Sequence, residues 1–125
     1  MKIGDYVRTK SYGIHKISEF EHYDYIDYIV CENQFNIIKI DESNIIKSSP
    51  NIIDLIQVGD YINGLRVEKN KYGELYTSYV YYGGDIGKQS EVYTTWLEEY
   101  KENEDYIYSI LTKEQFESME YRIGE

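Results

Sequence analysis

The sequence predicts a mainly β, β-rich α+β protein built from two tandem small β modules, residues 1–57 and 58–125, each closed by a short helix. Three observations carry this reading. Ile3-Gly4-Asp5-Tyr6-Val7 returns as Val58-Gly59-Asp60-Tyr61-Ile62, each time an apolar residue leading into a Gly-Asp turn signal and then an alternating strand. A helix-like segment follows late in each module, Ser49-Pro50-Asn51-Ile52-Ile53-Asp54-Leu55-Ile56 in the first and Thr112-Lys113-Glu114-Gln115-Phe116-Glu117-Ser118-Met119 in the second. The composition favours strands, with no alanine, one proline and 16 tyrosines alongside abundant isoleucine.

Module one opens with strands over Asp5 to Lys10 and Gly13 to Phe20, joined at Ser11-Tyr12-Gly13. Alternation puts Tyr6, Arg8 and Lys10 on one face of the first strand and Val7 and Thr9 on the other. Further strands are predicted over Tyr23 to Cys31 and Phe35 to Ile40, and Asp41-Glu42-Ser43-Asn44 is a polar break. Ile45 and Ile46 then lead to a helix near 50–56, where Ser49 can cap and Pro50 takes a first-turn position that needs no N–H donor. Ile52, Ile53 and Ile56 recur at helical spacing as one apolar stripe.

Module two opens with Val58 to Ile62, turns at Asn63-Gly64 and continues through Leu65 to Glu68, with a hairpin loop over Asn70 to Gly73. Leu75 to Tyr82 is a strong strand signal. Gly83-Gly84-Asp85-Ile86-Gly87 reads as a loop, because no Walker lysine pattern or following helix turns its glycines into a phosphate cradle. Strands over Glu91 to Leu97 and Tyr106 to Leu111 flank the acidic stretch of residues 98–105, read as a solvated loop. Thr112 and Gln115 have the spacing of a capping box for a helix near 113–119, with Phe116 and Met119 on its apolar face. Tyr121 to Ile123 reads as a closing edge strand.

Composition excludes several classes of function. The 125 residues are 42% hydrophobic, enough for a core without metal or disulfides. Cys31 is the single cysteine, so no internal disulfide forms and a reducing cytoplasm is the expected location. Met1-Lys2-Ile3-Gly4-Asp5 enters a strand signal without the apolar region of a signal peptide, and no apolar run approaches the roughly 20 residues of a spanning helix, so no membrane association is expected. The net charge is −10; residues 1–57 hold 9 acids and 6 bases, residues 58–125 hold 14 and 7, which places most of the negative field on module two. Such a surface repels phosphates and disfavours direct nucleic-acid binding.

No nucleophile, base and metal ligand come together in the sequence, so neither an enzyme nor a cofactor is expected, although an acid pair assembled from distant residues stays open. His15, His22 and Cys31 lack the paired spacing of a zinc site. Asp24 and Asp27 are three apart in a predicted strand and point to opposite faces. The 98–105 acids lack the ligand order of a calcium loop. The tyrosines are too numerous to bury, among them Tyr23, Tyr25, Tyr28, Tyr76, Tyr79, Tyr81 and Tyr82. Tyrosine concentrates at protein interfaces, where it offers large contact area with a polar tip. The candidate partner-binding residues are therefore Glu98, Glu99, Glu102, Glu104 and Asp105, with Trp96 and Tyr100 as aromatic anchors.

The segments Val58-Gly59-Asp60-Tyr61-Ile62-Asn63-Gly64, residues 49–56 and Ile110-Leu111-Thr112-Lys113-Glu114-Gln115-Phe116-Glu117 resemble small uncharacterised phage and prophage proteins of low-GC Gram-positive bacteria. The AT-rich codon bias implied by Ile, Tyr, Asn, Lys and Glu agrees with that origin. The Gly-Asp openings look like the first strand of SH3-like barrels, which implies two tandem SH3-like modules and no particular activity. The phage resemblance implies a non-enzymatic inhibitor of a host defence or nucleic-acid-handling protein in the host cytoplasm. Such an anti-CRISPR-like protein would mimic the charge of nucleic acid and occupy a basic groove. A nucleotide-sequestering protein using Arg8, Arg66 or Arg122, a virion assembly protein, and a homodimer through exposed tyrosines are the alternatives.

Overall fold

The two Gly-Asp motifs build the same turn twice. In the computed structural model, which describes residues 1–32, 36–81 and 91–123 and the side chains of all of these but 81, 91 and 119–123, Gly4 and Gly59 both stand at φ +93°. Glycine alone adopts that conformation without strain. Gly4 N–H donates to Ile17 O, Asp5 N–H to Lys2 O, and Ile17 N–H to Asp5 O. The second copy repeats each bond, from Gly59 to Val67, Asp60 to Gln57 and Val67 to Asp60. The carboxylates repeat as well: Asp5 Oδ2 accepts from Lys2 N–H at 3.0 Å, and Asp60 Oδ2 from Gln57 N–H at 2.7 Å.

Unit one runs β1 (Tyr6–Thr9), β2 (Ile14–Lys16), β3 (Glu19–Tyr23), β4 (Ile26–Glu32), β5 (Ile37–Asp41), a 3-10 turn (Glu42–Asn44), β6 (Ile45–Ser49) and a second 3-10 turn (Ile52–Leu55). β1 lies between β2 and β6, antiparallel to both. β3, β4 and β5 form an antiparallel meander. Between β3 and β4 the chain reverses in two residues, Asp24 at φ 51° and Tyr25 at φ 67°, the left-handed pair that matches the twist of a hairpin. Val7, Ile17, Ile29, Cys31 and Ile40 make the core.

Unit two runs β7 (Tyr61–Ile62), β8 (Leu65–Arg66), β9 (Glu68–Lys69), β10 (Leu75–Tyr81), β11 (Glu91–Trp96), α1 (Leu97–Glu102), a 3-10 turn (Glu104–Tyr106) and β12 (Ile110–Leu111). Its pairing copies unit one: β7 lies between β8 and β12, and β9, β10 and β11 follow as a meander. Asn63 at φ 52° and Gly64 at φ 82° form the two-residue turn between β7 and β8. Ile62, Val67, Leu97 and Tyr100 are buried.

The terminal helix α2 (Lys113–Ile123) belongs by its contacts to unit one, which comprises Met1–Ile56 and the segment from Thr112, while unit two is Gln57–Leu111. The capping box forms as read, with Thr112 N–H donating to Gln115 Oε1 at 3.0 Å and Gln115 N–H to Thr112 Oγ1 at 3.3 Å. Residues 121–123 continue this helix and form no edge strand.

The chain is mainly β, but the expected barrels are not closed. Among the described residues the strands form four open three-stranded sheets. The ladder breaks at Ile17-Ser18 between β2 and β3, and at Val67 between β8 and β9. The helix expected near 50–56 is the shorter 3-10 turn, because β6 persists to Ser49 and holds the preceding residues extended. Ser49 still closes it: its Oγ accepts from Asn51 N–H at 3.2 Å and donates to Asp54 Oδ2 at 2.7 Å. Only Ile110–Leu111 of the strand expected over Tyr106 to Leu111 is extended in a ladder. Phe35, Tyr82 and the loop of residues 83–87 lie outside the described residues.

Candidate functional site

The acidic stretch folds where the sequence suggests a loop. Leu97 and Tyr100, three residues apart and both buried, give α1 one inward face, and the 3.6-residue period turns Glu98, Glu99 and Glu102 outward. Glu98 and Glu99 sit in the first turn, where carboxylates complement the helix dipole. Glu99 Oε2 accepts from Trp96 N–H at 3.0 Å, half of a capping box that the indole, lacking an acceptor, cannot complete. Asn103 N–H donates to Tyr100 O at 3.2 Å and ends the helix.

Asn63 holds the segment that follows. Its Nδ2 donates to Tyr106 O at 2.7 Å, and its Oδ1 accepts from Tyr108 N–H at 2.7 Å and Ser109 N–H at 3.1 Å. One side chain in the β7–β8 turn thus fixes residues 106–109. Sequence reading recognises Asn63 as a turn residue but not as this anchor.

Thr95, Glu99, Tyr100, Glu102, Asn103 and Tyr106 line a depression of about 480 Å³ within unit two. Glu98, Glu102 and Asp105 are exposed, with no hydrogen bond or ion pair among the described residues. Glu99 and Glu104 are also exposed. All five expected acids are therefore exposed, and two of them, Glu99 and Glu102, share the depression.

The expected aromatic anchors separate. Tyr100 is only 7% exposed and its hydroxyl lies 3.1 Å from Thr77 Oγ1, so it supports α1 from inside and presents no anchor to a partner. Trp96 is 39% exposed and meets Tyr76 edge-on, with ring centroids 5.5 Å apart. Sequence reading missed two other contributors. Tyr106 is 60% exposed at the depression, and Tyr93 stacks on its cross-strand neighbour Tyr79 at 5.3 Å and 18°. Tyr93 shares a face of β11 with Thr95 of the depression. The signal for Tyr93 and Tyr79 lay in the strand period, which separates outward tyrosines from inward ones.

The charge is also distributed differently from the sequence halves. With the terminal helix assigned to unit one, that unit holds 13 acids and 8 bases and unit two holds 10 and 5, a balance of −5 in each. What distinguishes unit two is local crowding of acids on α1 and the turn after it, where Lys101 is the one base.

Both histidines have structural partners. His15 Nε2 lies 2.6 Å from Tyr12 O, and His22 Nδ1 lies 2.6 Å from Asp27 Oδ1 on the surface. Asp24 is in the β3–β4 turn rather than in a strand with Asp27. Cys31 is buried, and desolvation pushes its thiol up to about 11. No group of three or more metal-binding side chains occurs among the described residues. Arg8 is 0% exposed and bonded to Leu55 and Glu114, and Arg66 pairs with Glu68 at 2.7 Å. These pairings take two of the three arginines away from the nucleotide-binding alternative; Arg122 lies where side chains are not described. No described helix is long and apolar enough to cross a membrane. No protein-family model, curated protein or solved structure matches the chain.

Proposed function

We propose that this is a non-enzymatic binding protein that presents the acidic, aromatic face of unit two to a basic groove on a protein partner. The observation that carries the reading is the set of carboxylates Glu98, Glu99, Glu102, Glu104 and Asp105, all exposed on one short helical segment beside Tyr106. Exposed carboxylates close together in the chain keep a field that attracts cationic surfaces and repels phosphates. Exposed tyrosines add contact area around them. The partner class that this chemistry favours is a nucleic-acid-handling or defence protein of a low-GC Gram-positive host, inhibited in the anti-CRISPR manner by occupation of its nucleic-acid groove. The chain would then act in the host cytoplasm as a phage product. The strand order common to both units, first strand between second and last, supports reading them as two SH3-like modules.

The test is charge reversal. Glu98, Glu102 and Asp105 are exposed and have no hydrogen bond or ion pair among the described residues, so their joint replacement by lysine is expected to preserve folding and abolish partner capture. Retention of the same partner by the reversed variant would refute the proposal.

A further inference from the structure

We propose that the depression bounded by β11, α1 and the Glu104–Tyr106 turn receives an arginine side chain of the basic partner, a step that rests on the partner reading above. Glu99 and Glu102 stand three residues apart on α1 and so share one helix face, and both line the depression. Among the described residues no basic side chain lines it. Glu102 has no hydrogen bond or ion pair among the described residues, and Glu99 uses Oε2 for Trp96 N–H while Oε1 has no partner among them. Glu102 is also the last residue of α1, where the free carbonyl ends favour a cation. The sign of the occupant is therefore positive.

Its shape follows from the other walls. The volume of about 480 Å³ lies in the ~300–1,000 Å³ range of ligand sites. A planar guanidinium engages a carboxylate through two parallel donors, lies against an aromatic ring and sheds water more readily than an ammonium. Tyr106, 60% exposed, supplies that ring. Thr95 and Asn103 add neutral polar groups. A divalent cation is the weaker occupant, since two carboxylates with one already committed to the backbone fall short of the ligands such an ion takes.

The test is an amide-resolved NMR titration of the full chain with N-acetyl-arginine amide, with the isosteric neutral citrulline analogue and the lysine analogue as comparisons. Saturable shifts confined to Thr95, Glu99, Glu102, Asn103 and Tyr106, absent with citrulline and weaker with lysine, are expected. Glu102→Gln should weaken arginine binding about tenfold. An absent response, shifts spread over the acidic surface without saturation, an equal response to citrulline or lysine, or an unchanged affinity in Glu102→Gln would each overturn the proposal. The broader reading fails separately. Partner capture lost on reversal of Glu98, Glu102 and Asp105, yet unchanged in Glu102→Gln and Tyr106→Ala, would keep the surface and discard the arginine acceptor.

Discussion

Arg8 and Glu114 are 106 positions apart in the chain and meet inside unit one, with Nη2 2.6 Å from Oε2 and Nε 3.4 Å from Oε1. The remaining arm of the guanidinium, Nη1, donates to Leu55 O at 2.8 Å. A single side chain thus ties β1 to the Ile52–Leu55 turn and to α2. Unit one is completed only when the end of the chain returns to it, and unit two is an insertion between its parts.

Removing the guanidinium leaves Leu55 O and a partly buried carboxylate without their donor. Arg8→Ala is expected to destabilise unit one by about 3–5 kcal/mol, the range for breaking a buried ion pair from one side. Glu114→Gln keeps a hydrogen-bond acceptor and is expected to lose about 1–3 kcal/mol. Urea unfolding of both variants measures the difference, and equal midpoints for wild type and Arg8→Ala would show that the pair holds nothing together.

Two glycines separate backbone strain from steric conflict. Both have positive φ, Gly4 at +93° and Gly13 at +79°. A Cβ at Gly4 meets nothing within 4 Å, so Gly4→Ala is expected to lose only the conformational term, about 1 kcal/mol. A Cβ at Gly13 falls 2.5 Å from Gln115 Oε1. That amide caps α2, so Gly13→Ala is expected to add the loss of a cap, about 1 kcal/mol more. Thermal unfolding should rank Gly13→Ala below Gly4→Ala.

Burial raises the Cys31 thiol from 9.0 to about 11, so the folded chain keeps a proton that the unfolded chain releases. Stability from this site is complete below pH 9 and is lost as pH rises from 9 towards 11. Denaturation midpoints of wild type and Cys31→Ala across that range should converge as pH rises. In the native protein at pH 8, a thiol reagent should react far more slowly than in urea.

Tyr100 and Tyr106 should behave oppositely. Tyr100→Phe removes the hydroxyl that meets Thr77 and is expected to lose about 1 kcal/mol of stability without altering partner capture. Tyr106→Ala removes an exposed ring and is expected to weaken capture while leaving the unfolding midpoint nearly unchanged. Capture and unfolding measured on both variants check the assignment.

The legible parts of this fold were those set by local chemistry. Gly4-Asp5 and Gly59-Asp60 announce their turns because the conformation needs glycine and the following strand alternates. Thr112 and Gln115 announce a cap by spacing alone. Arg8 was not legible: on the polar face of β1 it reads as solvent-facing, and the Ile52–Leu55 turn and the distant α2 that hold it come from elsewhere in the chain. The same long-range contact assigns α2 to unit one, which no local pattern records. In the acidic stretch, the pair Leu97 and Tyr100 carried the helix signal, but the surrounding charge masked it. Reading Tyr100 as an exposed anchor followed from that error, because the tyrosine that closes the inward face of a helix keeps little surface for a partner.

The central claim is that the carboxylates of α1 and the following turn form a partner-binding surface. Affinity capture from lysate of a low-GC Gram-positive host, at low and high salt, comparing the tagged wild type with the variant carrying lysine at positions 98, 102 and 105, tests it most directly. The account predicts that mass spectrometry identifies a basic nucleic-acid-handling or defence protein on the wild type at low salt, lost at high salt and absent from the variant. The same proteins on both baits, or no basic partner on the wild type, would contradict it.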